Sequence, residues 1–335
     1  MGGARFLVPL TMALLAIAMV PENGAGQAAD KITLQLKWVT QAQFAGYYAA
    51  KAKGLYDAEK LDVTIRPGGL EIVSEQVVAA GGAQFGIDWL PSLLSARDQG
   101  APLTNIAQVF AYSGMRQIAF KTSGIRGPAD LRGRKVAVWF GGNEFELLAT
   151  LEKYKIDRHR DLTLVQQAFD MNLLLGRRVD AAAAMTYNEY KQVLDAGVKP
   201  DALVVIDFNR EGTAMLEDGI FARADWLADA KHKAIAVRFL RASLKGWEHC
   251  RAEAAECVEI VLKENPVLGR DHQTWMMTEV NKLVWGPPAP KSPLGRMDPQ
   301  AFKQTADIAL KFGVIKKSAA AGAYTHEIWE MAQTK

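Results

Sequence analysis

The stretch Leu34–Tyr48, LQLKWVTQAQFAGYY, runs from a strand pattern straight into a helix start, and this junction limits the chain to an α/β fold. Leu34, Leu36 and Trp38 alternate with Gln35 and Lys37, the period-two pattern of a half-buried strand. Thr40-Gln41-Ala42-Gln43 then has the spacing of a capping box, in which a hydroxyl and an amide close the first helical turn. In open α/β sheets ligands bind at the carboxyl ends of strands, helped by free helix N–H groups. Trp38, Gln41, Gln43, Phe44 and Tyr47 all gather there, although such aromatics also suit a core.

The pattern recurs along the chain. Leu61–Pro67 and Gln84–Asp88 read as strands, with Ile72–Ala80 helical between them and Trp89–Arg97 helical after them. Asp88 stands where a strand stops and a helix begins, so it suits a helix cap as well as a ligand contact. Leu103–Phe110 and Gln117–Lys121 are further strands, with Ser113 between them. From Gly127 the sequence starts again: a strand at Lys135–Trp139, then a helix opened by Asn143 and Glu146. Strands follow at Leu162–Gln166 and Ala181–Met185, the second ending on Thr186 and Glu189, a third capping-box spacing. Strands at Leu203–Asp207 and Ile220–Ala222 precede a mostly helical remainder, Asp225–Ala255 first. This order implies two lobes, one from residues 30–113 plus 216–335 and one from 114–215, with a hinge near Ser113 and Phe208–Thr213.

The N-terminus reads differently. Arg5, an apolar run from Phe6 to Val20 and the small residues before Asp30 have the order of a secretory signal at residues 1–29. The run is about 15 residues, short of the roughly 20 that span a membrane. The mature chain is therefore expected to start near Asp30, exported to the periplasm and not itself membrane-spanning. Cys250 and Cys257 lie in a segment of helical periodicity. Seven helical residues rise about 10.5 Å, beyond the roughly 7 Å a disulfide tolerates, so two reduced, buried thiols are expected. No CxxC-type spacing points to a metal, and a net charge of +3 on 335 residues gives no case for nucleic acid.

WVTQAQFAGYYAAKAKGLYDAEKLDVTI (38–65), GIDWLPSLL (86–94), DLRGRKVAVWFGGNEFELLATLEKY (130–154) and RRVDAAAAMTYNEY (177–190) resemble the thiamine-pyrimidine-precursor binding proteins. These are extracytoplasmic receptors of ABC importers, related to the pyrimidine synthase of eukaryotic thiamine biosynthesis. The resemblance implies the two-lobed periplasmic-binding-protein fold of the second type, each lobe a sheet flanked by helices, with the ligand in the cleft. It implies a monomer that serves an ABC permease and its ATPase and needs no cofactor. By motif position, Trp38 and Tyr187 would stack on a ring, with Gln43, Asn143 and Glu189 bonding its edge. A flat heterocycle offers a π face and an edge of donors and acceptors, which rings, amides and carboxylates serve. The full candidate contact set is Trp38, Gln41, Gln43, Phe44, Tyr47, Asp88, Trp89, Ser113, Trp139, Asn143, Tyr187 and Glu189.

Two alternatives stay open. The same fold could receive a flavin, or a sulfonate or nitrate, although those anions would call for Arg or Lys where the junctions offer amides and aromatics. The other alternative is an enzyme of the pyrimidine-synthase type. That enzyme depends on a Cys-rich motif and an active-site His, whereas His159, His232, His249, His272 and His326 avoid every junction named above. Gly141-Gly142 lacks the Lys-Ser/Thr of a phosphate-binding loop.

Overall fold

The computed structural model describes residues 1–3, 28–140 and 142–334. The apolar run Phe6–Val20 lies outside the described residues. Strands β1 (Asp30–Gln35), β2 (Leu61–Arg66), β3 (Phe85–Asp88) and β4 (Leu103–Gln108) come first. They are followed by β5 (Met115–Phe120), β6 (Lys135–Val138), β7 (Thr163–Gln166), β8 (Ala181–Met185), β9 (Leu203–Asp207) and β10 (Gly219–Arg223).

These strands form two five-stranded sheets, ordered β2-β1-β3-β10-β4 and β7-β6-β8-β5-β9. In the first, β1 pairs parallel with β2 and β3, while β10 runs antiparallel to β3 and β4. In the second, β6 pairs parallel with β7 and β8, while β5 runs antiparallel to β8 and β9. The two sheets thus repeat one topology. In each, the antiparallel strand is the one that has just arrived from the other sheet: β5 follows β4, and β10 follows β9. The central strands β3 and β8 are buried along their whole length, as strands covered by helices on both faces must be; β8 reads as an unbroken apolar run, and β3 as one until the ion-paired Asp88.

Helix Ala45–Ala52, which leads away from the first junction, is clamped against the long helix Ala230–Ala252. The approach is close because of two glycines. A Cβ on Gly46 would stand 2.3 Å from the Trp247 ring, and one on Gly246 would stand 2.1 Å from the Gly46 carbonyl. The buried Trp247 ring meets Tyr47 edge-on at 5.6 Å, so this helix face is core.

Several expectations are corrected. β1 ends at Gln35, and Leu36–Trp38 form a loop held by Gly68, whose N–H donates to the Trp38 carbonyl at 2.8 Å. No side chain caps the helices at Ala42, Phe145 or Glu189 in the way the three capping boxes predict. Thr40 bonds the Tyr48 hydroxyl at 2.8 Å instead, and the Ala42 N–H donates to Gln273 Oε1 at 2.7 Å. Glu146 accepts from the Met215 N–H at 2.7 Å, and Glu189 turns back to the Met185 N–H at 3.0 Å. Thr40 thus bonds a residue further along the following helix, Glu189 the strand end before its helix and Glu146 a distant segment, none of them the backbone of its own first turn. The expected helix 225–255 is two helices, Ala224–Leu227 and Ala230–Ala252, and the second stops at Glu253 before Ala254–Glu264 begins. That break brings Cys250 and Cys257 to a Cα–Cα distance of 5.5 Å, and they form a disulfide.

Candidate functional site

Four strand ends converge between the sheets. The loop after β1 and the end of β3 bring Lys37, Trp38, Gln41, Gln43 and Trp89; the segments after β6 and β8 bring Trp139, Asn143, Tyr187, Asn188 and Glu189. Together they enclose a chamber of about 30 Å³. Trp38 reaches across to Phe169 of the second sheet's side, ring centroids 4.7 Å apart in an edge-to-face contact. The Trp139 indole is fixed by donating Nε1–H to the Ala168 carbonyl at 2.9 Å.

Beside Trp38 a chain of polar side chains runs inward from the chamber. Gln41 donates to Gln43 at 2.7 Å, and Gln43 donates to Asp218 at 2.8 Å. Asp218 holds a left-handed backbone at φ 46° and is buried, with Oδ1 lacking a hydrogen-bond partner among the described residues. Burial pushes its carboxyl up to about 7 against the opposing pull of the Gln43 bond. Glu189 is likewise pushed up to about 7 by burial, against the bonds from Met185 and Asn188. Glu189, in the chamber lining, and Asp218, behind Gln43, can therefore each hold or release a proton near neutral pH. The Trp89 Nε1–H is buried and also without a partner among the described residues.

The chamber opens into a larger cavity of about 550 Å³, lined by Glu75, Asp88, Ser92, Phe140 and Glu144 and sharing Lys37, Trp38, Trp139 and Asn143 with it. Lys37 and Asp88 form an ion pair here at 2.6 Å, and Lys37 sits 5.0 Å from the centre of the Trp89 ring. Burial is the largest influence and lowers the Lys37 pKa, but the Asp88 charge and hydrogen bond, with Glu75 and Asp218 behind them, together outweigh it and the lysine stays protonated. Asp88 also accepts from Ser74 at 2.9 Å and from the Trp89 N–H at 2.7 Å. It serves the cleft wall and the chain turn at once.

The candidate set therefore divides. Trp38, Gln41, Gln43, Trp89, Trp139, Asn143, Tyr187 and Glu189 line the chamber, and Asp88 lines the outer cavity. Phe44 and Tyr47 are core residues. Ser113 lies at the crossing between the sheets, beside a separate cavity of about 320 Å³. Sequence reasoning missed Lys37, Phe169, Glu75 and Asp218; Lys37 and Asp218 each sit beside a residue it did consider or at a strand start. It also placed every His away from the junctions, yet His272 bonds Asn188 at 2.7 Å beside the chamber. Among the described residues no cluster of His, Cys, Asp and Glu could hold a metal, and no helix is long and apolar enough to cross a membrane.

A family model described as NMT1/THI5 like matches residues 41–257. The chain is 27% identical to the riboflavin-binding protein RibY of Chloroflexus aurantiacus over 73% of this chain and 70% of that one. It is 22% identical to a formylaminopyrimidine-binding protein of Halalkalibacterium halodurans, covering 89% of this chain and 91% of that one. It is 23% identical to a 4-amino-5-hydroxymethyl-2-methylpyrimidine phosphate synthase of Legionella pneumophila over 71% and 75% of the two chains. Among solved structures, the periplasmic aliphatic sulphonate binding protein SsuA of Escherichia coli superposes with a TM-score of 0.65 at 16% identity, covering 87% of this chain and 90% of that one. At that identity the likeness speaks for the fold: a two-sheet periplasmic-binding-protein architecture.

Proposed function

The chain belongs to the NMT1/THI5-like family, and on that premise we propose that it is an extracytoplasmic solute-binding protein of an ABC importer. It captures a small planar heterocycle, a thiamine pyrimidine precursor or similar, between its lobes. One observation carries this reading: aromatic and amide side chains from both sheets meet in one chamber, Trp38, Gln41 and Gln43 on one side, Trp139, Asn143 and Tyr187 on the other. Two walls from two sheets can close on a flat ring, and contacts made only in the closed state shift the population toward it. The lobes are residues 30–113 plus 216–335 and residues 114–215, joined at the two crossings. The protein is a monomer exported through its N-terminal signal, and it hands its ligand to a permease with a cytoplasmic ATPase.

The relative named as a synthase keeps an enzyme in view. Against it, both cysteines are joined to each other in a disulfide, away from the chamber lining. Incubation with pyridoxal phosphate and iron should give no pyrimidine product; turnover would replace the receptor reading. The direct test is mass spectrometry of the small molecule retained by protein purified from its native periplasm, followed by calorimetric titration of that molecule. Recovery of an aminopyrimidine or another planar heterocycle supports the proposal, and recovery of a non-planar solute overturns it.

A further inference from the structure

We infer that the cleft contains a second subsite, next to the ring chamber, that takes an uncharged, hydroxylated chain carried by the ring. This rests on the receptor reading above and narrows its ligand class. The first ground is shape. The chamber between the tryptophans holds about 30 Å³ in this conformation, whereas the adjoining cavity holds about 550 Å³ and shares four lining residues with it. A ring seated among Trp38, Trp139 and Tyr187 would point any substituent into that larger space.

The second ground is an unsatisfied polar group. Glu75 lines the cavity with only 2% of its surface exposed, and its Oε1 has no hydrogen-bond partner among the described residues. Its other oxygen receives the Ser74 hydroxyl at a long 3.4 Å, and the carboxyl also shares a hydrogen bond with the neighbouring Asp88. A buried carboxyl with a free oxygen costs stability unless something bonds it. Burial, reinforced by the neighbouring Asp88 charge, holds a proton on Glu75. With its proton turned to Asp88, Glu75 keeps Oε1 free as an acceptor, which an alcohol hydroxyl can fill and an anion cannot.

The third ground is charge. Lys37 is the one cation among the cavity's lining residues, and Asp88 already neutralises it at 2.6 Å. Glu144 adds a further acidic side chain to the lining. A phosphate, sulfonate or carboxylate would meet no surplus positive charge here and would lose its hydration in exchange for carboxyl neighbours. A hydroxylated chain pays no such charge penalty.

The test compares bare, hydroxylated and phosphorylated members on two ring sizes by calorimetric titration of the purified protein: cytosine, cytidine and cytidine monophosphate, and lumiflavin, riboflavin and flavin mononucleotide. In the series that binds, the hydroxylated member should bind about tenfold more tightly than the bare ring, the size of one or two net hydrogen bonds, and the phosphorylated member more weakly than the hydroxylated one. Within Glu75→Ala the hydroxylated-to-bare affinity ratio should fall to about one, whatever the bare ring's own affinity, while Glu75→Gln keeps most of the ratio. Ser92→Ala serves as a second, milder variant if Glu75→Ala fails to fold. Equal affinity for bare and hydroxylated rings, or tightest binding of the phosphorylated member, overturns the subsite. Binding of 4-amino-5-hydroxymethyl-2-methylpyrimidine with no binding of any chain-bearing member also overturns it while leaving the receptor reading intact. Failure of every planar ring to bind overturns both.

Discussion

The Ser113 hydroxyl lies 2.6 Å from Glu217 Oε1 where the two crossings between the sheets meet, and 2.9 Å from Glu146 Oε2 as well. One hydroxyl hydrogen cannot serve two carboxylates, so one of the acids must carry a proton and donate it to Ser113. Burial pushes Glu217 up to about 7, but the Gly114 and Met115 backbone N–H groups, which donate to it at 3.0 and 3.2 Å, pull it back toward its charged form. Glu146 is held well above the ordinary carboxyl range by burial and then by the Glu217 charge. The proton therefore sits on Glu146.

A direct consequence is that Glu146→Gln, which copies a protonated acid, should change stability by less than about 1 kcal/mol. Glu146→Ala leaves the Met215 N–H without its partner, at about 1–3 kcal/mol, while Ser113 keeps Glu217 and the Met115 N–H. Thermal melts of both variants at pH 7 check the assignment; a large loss in Glu146→Gln would place the charge on Glu146 instead.

The buried acids also set a pH dependence. Glu189 and Asp218 rise from their ordinary 4.5 and 3.8 to about 7. A carboxyl raised on folding stabilises the protein fully below its unfolded value, and that contribution is lost as pH rises through the folded value. The melting temperature should therefore fall between about pH 4 and pH 7. For Glu189 alone the rise corresponds to about 3 kcal/mol. Glu189→Gln should flatten the slope. A melting temperature that climbs across this range would mean these acids are charged in the folded protein.

The strand-to-helix rhythm was legible because period-two runs and buried small-residue runs are local: Ala181–Met185 and Leu203–Asp207 are strands with the predicted bounds. Both sheets follow from that rhythm. The aromatic chamber was legible for the same reason, since Trp38, Trp139 and Tyr187 each follow a strand. The misses come from contacts between distant segments. Thr40, Glu146 and Glu189 have capping-box spacing, but partners from elsewhere in the fold or from the preceding turn offer better bonds than their own helix ends. Asp218 reaches Gln43 across 175 positions of chain, and Phe169 meets Trp38 from the other sheet's side. No local pattern encodes either.

The disulfide reverses an expectation drawn from helix rise. That rise holds only while a helix is continuous, and here the backbone leaves it at Glu253 with ψ 55°. Denatured protein kept from reductant should therefore show no thiol labelling, and reductant should expose both cysteines. Closing a loop of sequence separation 7 contributes about 2–3 kcal/mol in the chain-entropy account. Cys250→Ser with Cys257→Ser should lower the melting temperature accordingly. Labelling of both thiols without reductant would restore the unbridged form.

Trp38 offers the sharpest test of the ring chamber. Its loop is pinned at Gly68, where a Cβ would stand 2.3 Å from the Leu36 carbonyl, so backbone packing fixes where the indole starts, and the ring lies at the edge of the core. The ring is partly buried and its neighbour across the cleft, Phe169, is 46% exposed. Removing it should therefore cost the ligand more than it costs the fold. Aromatic stacking adds about 0.5–1.5 kcal/mol beyond area burial, and the lost apolar contact adds about 25 cal/mol per Å². Trp38→Ala should weaken binding of the natively retained ligand by roughly 2–3 kcal/mol, on the order of 30- to 150-fold in Kd, with a small change in the ligand-free melting temperature. Trp247→Ala, by contrast, should cost about 3–5 kcal/mol of stability, because that ring is enclosed against Gly46 and Tyr47. Titration and melts on the two variants separate the roles. A Trp38→Ala protein that keeps its affinity but melts early would make Trp38 a packing residue and leave Trp139 and Tyr187 to hold the ring alone.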